Sequence, residues 1–206
     1  MIEHKGWWIP EIAPGGKSGI QPDRNLDIIA LALEHAQGRD LVLQAGGFFG
    51  QWPLALSSIF GEVVAVEGDR ENYECAVRNL GERAVINVTL THAILGEQSG
   101  AGRMVHHVLL SGAHHASFDG GEVPVITIDS LGLTPDLIML DIEGSEVMAL
   151  KGAVETLRRC NSPIVLEDNR SRENFNLPVG HQQRFMATIG YKPVARHVKD
   201  LVYVRE

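Results

Sequence analysis

Short apolar runs alternate along this chain with stretches in which apolar residues recur every third or fourth position. Leu41 to Ala45, Val63 to Glu67, residues 85 to 90, Leu137 to Leu140 and Pro163 to Leu166 read as strands. They are continuous rather than alternating, as expected for strands buried on both faces. Between them lie helical patterns. Residues 25 to 37 predict a helix stopped by Gly38, and residues 51 to 60 a second. Tyr73, Ala76, Val77 and Leu80 predict a third, with Gly81 as its stop. Val147, Leu150, Val154 and Leu157 form one stripe of a fourth, which Ser145 can cap. A helix near 180 to 189 and closing strands at 191 to 197 and 201 to 205 finish the chain.

Strand–helix alternation of this kind predicts an α/β domain, with a mostly parallel seven-stranded sheet and helices on both faces. Two stretches depart from it. Residues 96 to 122 are rich in Gly, Ser and His, with a strand at 103 to 109 and a segment at 125 to 128 leading back. They read as an inserted β-hairpin before the fourth core strand, its tip near Ser111 to Gly121. Residues 1 to 22 are rich in Gly and Pro and read as an irregular arm. No repeat, linker or low-complexity segment divides the chain, so a single domain over 1–206 is expected.

Composition narrows the class. Apolar residues are 44% and charged residues 21%, ordinary values for a soluble globular protein. No apolar run is long enough to span a bilayer, and the first residues lack a signal-peptide core, which makes the cytoplasm the expected location. The net charge of −8 argues against nucleic acid as partner, and Arg158-Arg159 and Arg170 to Arg172 read as solvated faces. Cys75 and Cys160 form no ligand pattern and read as structural thiols.

Ligands of such sheets bind at the carboxyl ends of the strands. The first strand ends in Gly46-Gly47-Phe48-Phe49-Gly50, a turn opening a helix. Glycines permit close backbone approach, and a helix start offers free N–H groups. The spacing is G-x-x-x-G, which counts against a nicotinamide oxidoreductase with G-x-G-x-x-G. A plain tight turn is the simpler reading of this segment alone. Glu67 ends the next strand, where a carboxylate can take both hydroxyls of a ribose; turn, helix, strand and acid in this order point to an adenosine-type cofactor. Asp141 and Glu143 follow the fourth strand, and Glu167 to Asn169 the fifth. Carboxylates also suit a helix entry, so Asp141 and Glu143 are either stabilisers or groups that orient an acceptor and take its proton.

The histidines come as His106-His107 and His114-His115. Strand neighbours point to opposite faces, so His106 and His107 are poorly placed to chelate one ion, and all four read as surface residues. His181 precedes a helix and is a weak general-base candidate. Gly15-Gly16-Lys17-Ser18 lacks the first glycine and the strand of a phosphate-binding loop. Trp7 and Trp8 either pack on the domain or roof a pocket.

Several segments together resemble the FkbM family of methyltransferases. Glu67-Gly68-Asp69-Arg70-Glu71-Asn72-Tyr73 through Arg78-Asn79-Leu80 is similar to its second-strand region. Asp141-Ile142-Glu143-Gly144-Ser145-Glu146 with Leu150-Lys151-Gly152-Ala153 resembles its D-x-E-G-x-E signature and the L-x-G-A that follows. Ala93 to Gly96, Gly100 and Val125 to Leu131 match its middle region, and the resemblance covers residues 40 to 206. It implies a Rossmann-like class I methyltransferase fold with S-adenosylmethionine as methyl donor. Gln44, Gly46, Gly47, Phe48, Gly50, Glu67 and Gly68 would form the donor site. Asp141 and Glu143 would serve a small-molecule or carbohydrate-like hydroxyl. Catechol-type O-methyltransferases are similar at two strand ends, which implies Mg²⁺ on Asp141, Asp168 and Asn169. The chain departs from the family at Gln44, where an acid is usual, and at Phe48, an Asn-like position. Gln44 can hydrogen-bond but cannot offset an ammonium charge. The alternative is a degenerate methyltransferase-like domain acting as a binding module.

Overall fold

The computed structural model describes residues 1–11, 26–107, 114–168 and 170–206. Seven strands form the central sheet: β3 (Leu41–Ala45), β4 (Glu62–Glu67), β5 (Val88–His92), β10 (Leu137–Leu140), β11 (Ile164–Glu167), β12 (Tyr191–His197) and β13 (Asp200–Arg205). Their spatial order is β12-β13-β11-β10-β3-β4-β5. Every pairing from β5 to β11 is parallel, whereas β13 runs antiparallel to both neighbours. The order reverses beside β3, so the ends of β3 and β10 flank the switch-point crevice.

Period-two alternation buries both faces. Leu43, Ala45, Ile138, Leu140, Ile164 and Leu166 pack with Ala149, Leu150, Leu157 and Met186. These come from α4 (Glu146–Lys151), α5 (Val154–Arg159) and α6 (His181–Thr188). On the other face Val42, Val63, Ala65, Met139 and Val165 meet Ile28, Ile29 and Leu56, from α1 (Leu26–Leu33) and α2 (Gln51–Ser57).

Three expected helix boundaries move. The first helix ends at Leu33 rather than at Gly38; a Cβ on Gly38 would meet the Asp136 carboxylate at 2.6 Å. That carboxylate accepts the Asp40 and Leu41 amides and so starts β3. Gly81 lies inside α3 (Arg70–Glu82), which turns out only at Ala84 in the left-handed region. Along α3 the buried positions include Cys75, Ala76, Asn79 and Leu80, whereas Val77 is exposed. The expected single helix after Ser145 is two helices, broken at Gly152. A Cβ there would lie 2.2 Å from the Gly96 carbonyl oxygen, and the Gly152 carbonyl accepts the Asp129 amide. Tertiary contact, rather than helix propensity, fixes that glycine and leaves Val154 exposed.

Where an inserted hairpin was expected, the chain forms a second sheet of four strands, ordered β6-β9-β7-β8. These are β6 (Ile94–Leu95), β7 (Gly100–Val105), β8 (His115–Ser117) and β9 (Val123–Ile126). It has its own small core of Ile94, Ala116 and Val125. Part of the expected tip lies outside the described residues, as does the segment Gly15 to Ser18.

The beginning of the presumed irregular arm is ordered. β1 (Ile2–His4) pairs antiparallel with β2 (Trp7–Ile9) across Lys5 and Gly6, both at positive φ, as a two-residue hairpin turn requires. Trp7 is buried edge-on to Phe49, their ring centroids 5.7 Å apart, with Ile9 and Cys75 beside them. Trp8 lies under the Arg78 guanidinium and donates its indole N–H to Glu82. Both tryptophans therefore pack on the domain. No helix among the described residues is long and apolar enough to cross a membrane.

Candidate functional site

The glycine turn is shaped by its neighbours on both sides. The Gly46 amide donates to the Val66 carbonyl, and the Asp141 amide donates to the Ala45 carbonyl, each at 3.0 Å. Gly46 has φ +83°, and a Cβ there would lie 1.8 Å from the Asp141 carbonyl oxygen. No side chain fits at 46 while β3 and β10 end side by side. Phe48 continues the turn at φ 50°, a left-handed conformation uncommon outside glycine. Gly50, at φ +96°, opens α2 against Ala76, 3.2 Å from where its Cβ would be. The turn is tied down from outside by Asn79. Its amide donates to the carbonyls of Phe49 and Trp8, and its oxygen accepts the Trp8 amide.

Glu67 closes β4 beneath this turn. Its Oε2 accepts the Phe48 amide and its Oε1 the Asp69 amide, both at 2.8 Å. Burial pushes its pKa up to about 8 despite those two bonds, and the charges of Asp69 and Asp141 add to the rise. Each carboxylate oxygen retains acceptor capacity beyond one backbone bond. Gly68 follows; a Cβ there would meet the Met104 sulfur at 2.8 Å, so a bare backbone lets β7 approach.

Gln44 lies between Met139 and Ala65 in the sheet. It is 1% exposed, and its Oε1 is buried without a hydrogen-bond partner. An unpaired buried acceptor costs about 1–3 kcal/mol. Its oxygen lies 3.6 Å from where a Gly47 Cβ would be, below the turn.

The segment after β10 forms the other half. Glu143 and Gly144 are both at positive φ. The buried Glu146 holds them: its Oε1 accepts the amides of Ile142 and Gly144 at 3.1 and 3.2 Å. Burial raises the Glu146 pKa to about 7, partly countered by backbone hydrogen bonds. The expected capping role of Ser145 is not observed. Its hydroxyl donates to the Ile142 carbonyl instead, and it makes no side-chain cap bond.

Carboxylate oxygens of Asp141, Glu143 and Glu167 lie within 4.8 Å of one another. The expected partner of Asp141 across the crevice was Asp168. Instead Asp168 pairs with Arg196 at 3.6 Å, and Glu167 takes that position. Successive residues at a strand end point to opposite sides, and here the last residue of β11 turns toward Asp141. Glu167 is also paired with Lys199. Asn169 lies outside the described residues. A cleft beside this segment is lined by Gly144, Glu146, Glu167, Asp168 and, at the start of α6, His181.

Sequence reasoning missed two features. Glu146 was visible only as the last letter of a motif, although its distance from Ile142 is that of a side chain reaching back over one turn. The histidines do meet, but across strands: His106 stacks on His114 at 4.5 Å, both beside Asp69. The two thiols are free. Cys75 is buried in the Trp7 cluster, and its pKa is pushed up to about 12, chiefly by that burial. Cys160 donates to the Thr156 carbonyl.

A family model described as methyltransferase FkbM domain matches residues 24–193. No curated protein matches the chain significantly. Among solved structures, the chain is similar to methyltransferase FkbM from Methylobacillus flagellatus KT, with 22% identity and a TM-score of 0.57. That match covers 80% of this chain and 43% of the other, so the present chain spans less than half of that relative's length. A precorrin 8w decarboxylase from Methanobacterium thermoautotrophicum aligns over 99% of this chain and 98% of its own, at 14% identity and TM-score 0.59. A precorrin-6y C5,15-methyltransferase from Geobacter metallireducens GS-15 aligns over 87% and 88%, at 16% and 0.51. At these identities the likenesses show the α/β Rossmann-like fold.

Proposed function

Because this chain belongs to the FkbM methyltransferase family, we propose that it transfers a methyl group from S-adenosylmethionine to a hydroxyl of a small-molecule or carbohydrate-like acceptor. One observation carries this reading. The glycine turn and the acid of the second strand are a single hydrogen-bonded unit at the switch point, through the Phe48 amide and Glu67. The residues fit the donor's chemistry. Glu67 would accept the ribose hydroxyls with its remaining lone pairs. Gln44, whose buried Oε1 has no partner, would accept from the ammonium of the amino-acid end. Gly46, Gly47 and Gly50 would let that end lie on the backbone, with Phe48 and Gly68 at its edges.

The donor supplies an electrophilic methyl group on a sulfonium sulfur. The chain supplies placement and a proton acceptor. Asp141 stands at the strand end adjoining the donor turn, and Glu143 is held out from the same segment by Glu146. Either carboxylate would orient the acceptor hydroxyl and take its proton as the oxygen attacks the methyl carbon. Glu167 would keep this corner polar rather than bind the acceptor, being paired with Lys199. Two free cysteines suit a reducing compartment and support action in the cytoplasm.

A second reading, a binding module without transfer, rests on Gln44, which leaves the ammonium uncompensated. Thermal shift with S-adenosylmethionine, S-adenosylhomocysteine and NAD separates these readings. A ligand at ~100 times its Kd stabilises by about 2.7 kcal/mol, or roughly 5–10 °C for a chain of this size. A shift with both adenosyl ligands and none with NAD is expected. No shift with either adenosyl ligand would overturn the enzyme reading.

A further inference from the structure

We infer that Asp69, His106 and His114 form a binding site for a divalent transition-metal ion of the Zn²⁺ class, next to the proposed donor site. His106 follows β7 and His114 precedes β8. Val105 opposes His115 in that antiparallel pair, so His106 and His114 are the next cross-strand neighbours. Their rings stack with centroids 4.5 Å apart and an interplanar angle of 27°. Both turn a nitrogen to the same oxygen: His106 Nε2 is 2.8 Å and His114 Nδ1 3.3 Å from Asp69 Oδ2. The three ligand atoms all lie within 4.8 Å of one another. That spacing suits an ion with nitrogen and oxygen ligands at about 2.0–2.2 Å.

The donor set selects the metal. Two imidazoles and one carboxylate suit Zn²⁺, Fe²⁺ or Co²⁺, whereas Mg²⁺ and Ca²⁺ take oxygen ligands. The carboxylate is also oriented from behind. Its second oxygen accepts the Asn72 amide at 2.9 Å, and its own backbone amide is held by Glu67. Support of this kind, fixing a ligand before metal arrives, is typical of real metal sites. Asp69 is 3% exposed, His114 14% and His106 64%, so the ion would have one wet side and an open coordination position. Such an ion would latch β7 and β8 onto the corner between β4 and α3, two residues from Glu67.

The test is metal binding by the untagged full chain, stripped with chelator and titrated calorimetrically with Zn²⁺, Co²⁺ and Mg²⁺. The inference expects one Zn²⁺ per chain, a visible Co²⁺ absorption band, and no heat with Mg²⁺. His106→Ala and His114→Ala should each weaken Zn²⁺ at least tenfold, while His35→Ala, at a remote exposed position, should not. His106 is largely exposed, so its variant should melt like wild type without metal and isolates ligation from folding. Absence of Zn²⁺ binding, or equal affinity in wild type and both site variants, would overturn the inference. The readout does not involve methyl transfer, so it stands or falls apart from the proposed activity.

Discussion

The Phe48 amide donates to Glu67 Oε2 at 2.8 Å, joining the turn after the first core strand to the end of the second. The bond spans 19 residues of sequence and holds Phe48 in its left-handed conformation. It also means that Glu67 has a structural task whether or not a nucleoside is present.

That dual task predicts an unusual pH dependence. Glu67 binds a proton more tightly folded, with a pKa of about 8 against an ordinary 4.5. Its contribution to stability is full below the unfolded value, declines through the interval, and is gone above about 8. The limiting slope for one proton is about 1.4 kcal/mol per pH unit. Glu146 acts in the same sense up to about 7. Asp69 and Asp129 act in the opposite sense, since burial, which alone would raise their pKa, is outweighed by hydrogen bonds that lower it. Their contributions are lost only on acidification below the ordinary carboxylate range. The ligand-free Tm should therefore fall from about pH 5 to 8. Glu67→Gln should flatten that fall, as scanning calorimetry across pH would show.

Donor binding should show the converse. Ribose hydroxyls favour the carboxylate form, so S-adenosylhomocysteine affinity should rise up to about tenfold per pH unit and level off above pH 8. Calorimetric titration at pH 6, 7, 8 and 9 checks this. A flat profile would mean that Glu67 does not meet the ligand.

Gln44→Asp should raise donor affinity. The new carboxylate would face the ammonium where now a neutral amide with an unpaired oxygen lies. Without ligand the variant should melt lower than wild type, because a buried charge then lacks a partner. Opposite signs for affinity and stability are the expected outcome, read from titration and melting together.

Glu146→Ala should reduce kcat by one or two orders of magnitude while changing donor Kd little, as single-turnover rates and titration would separate. The side chain accepts two amides of the segment that carries Asp141 and Glu143, so its loss should be felt on the acceptor side of the crevice.

Asn79→Ala should cost roughly 2–4 kcal/mol, since it removes three hydrogen bonds, one buried and two part-buried, that link β2, α3 and the glycine turn. Denaturant unfolding followed by tryptophan fluorescence reads it directly, because Trp7 and Trp8 sit at that seam.

The core strands were legible because burial on both faces leaves uninterrupted runs such as Leu137 to Leu140. The positions of Gly46, Glu67 and Asp141 at the carboxyl ends of strands were legible because each closes an apolar run. What stayed hidden depended on partners distant in sequence. Nothing near Gly152 announces that the Gly96 carbonyl will press on it and split a helix. Nothing near Asp168 says that it will pair with Arg196 while Glu167 stands beside Asp141 and Glu143. The histidine doublets were read along the strand, whereas the pairing that matters runs across it. The Lys5-Gly6 hairpin was masked by a composition that suggested only irregular chain.

The contact of Gly46 with the Asp141 carbonyl has an evolutionary corollary. The pieces that would grip the donor and those that would receive the acceptor share one wall, with no room for a methyl group between them. Descendants of this chain cannot enlarge one side by trading residues there without disturbing the other. Under the proposed activity, diversification toward new acceptors would have to draw on segments away from this wall, and the wall itself would be inherited as a block.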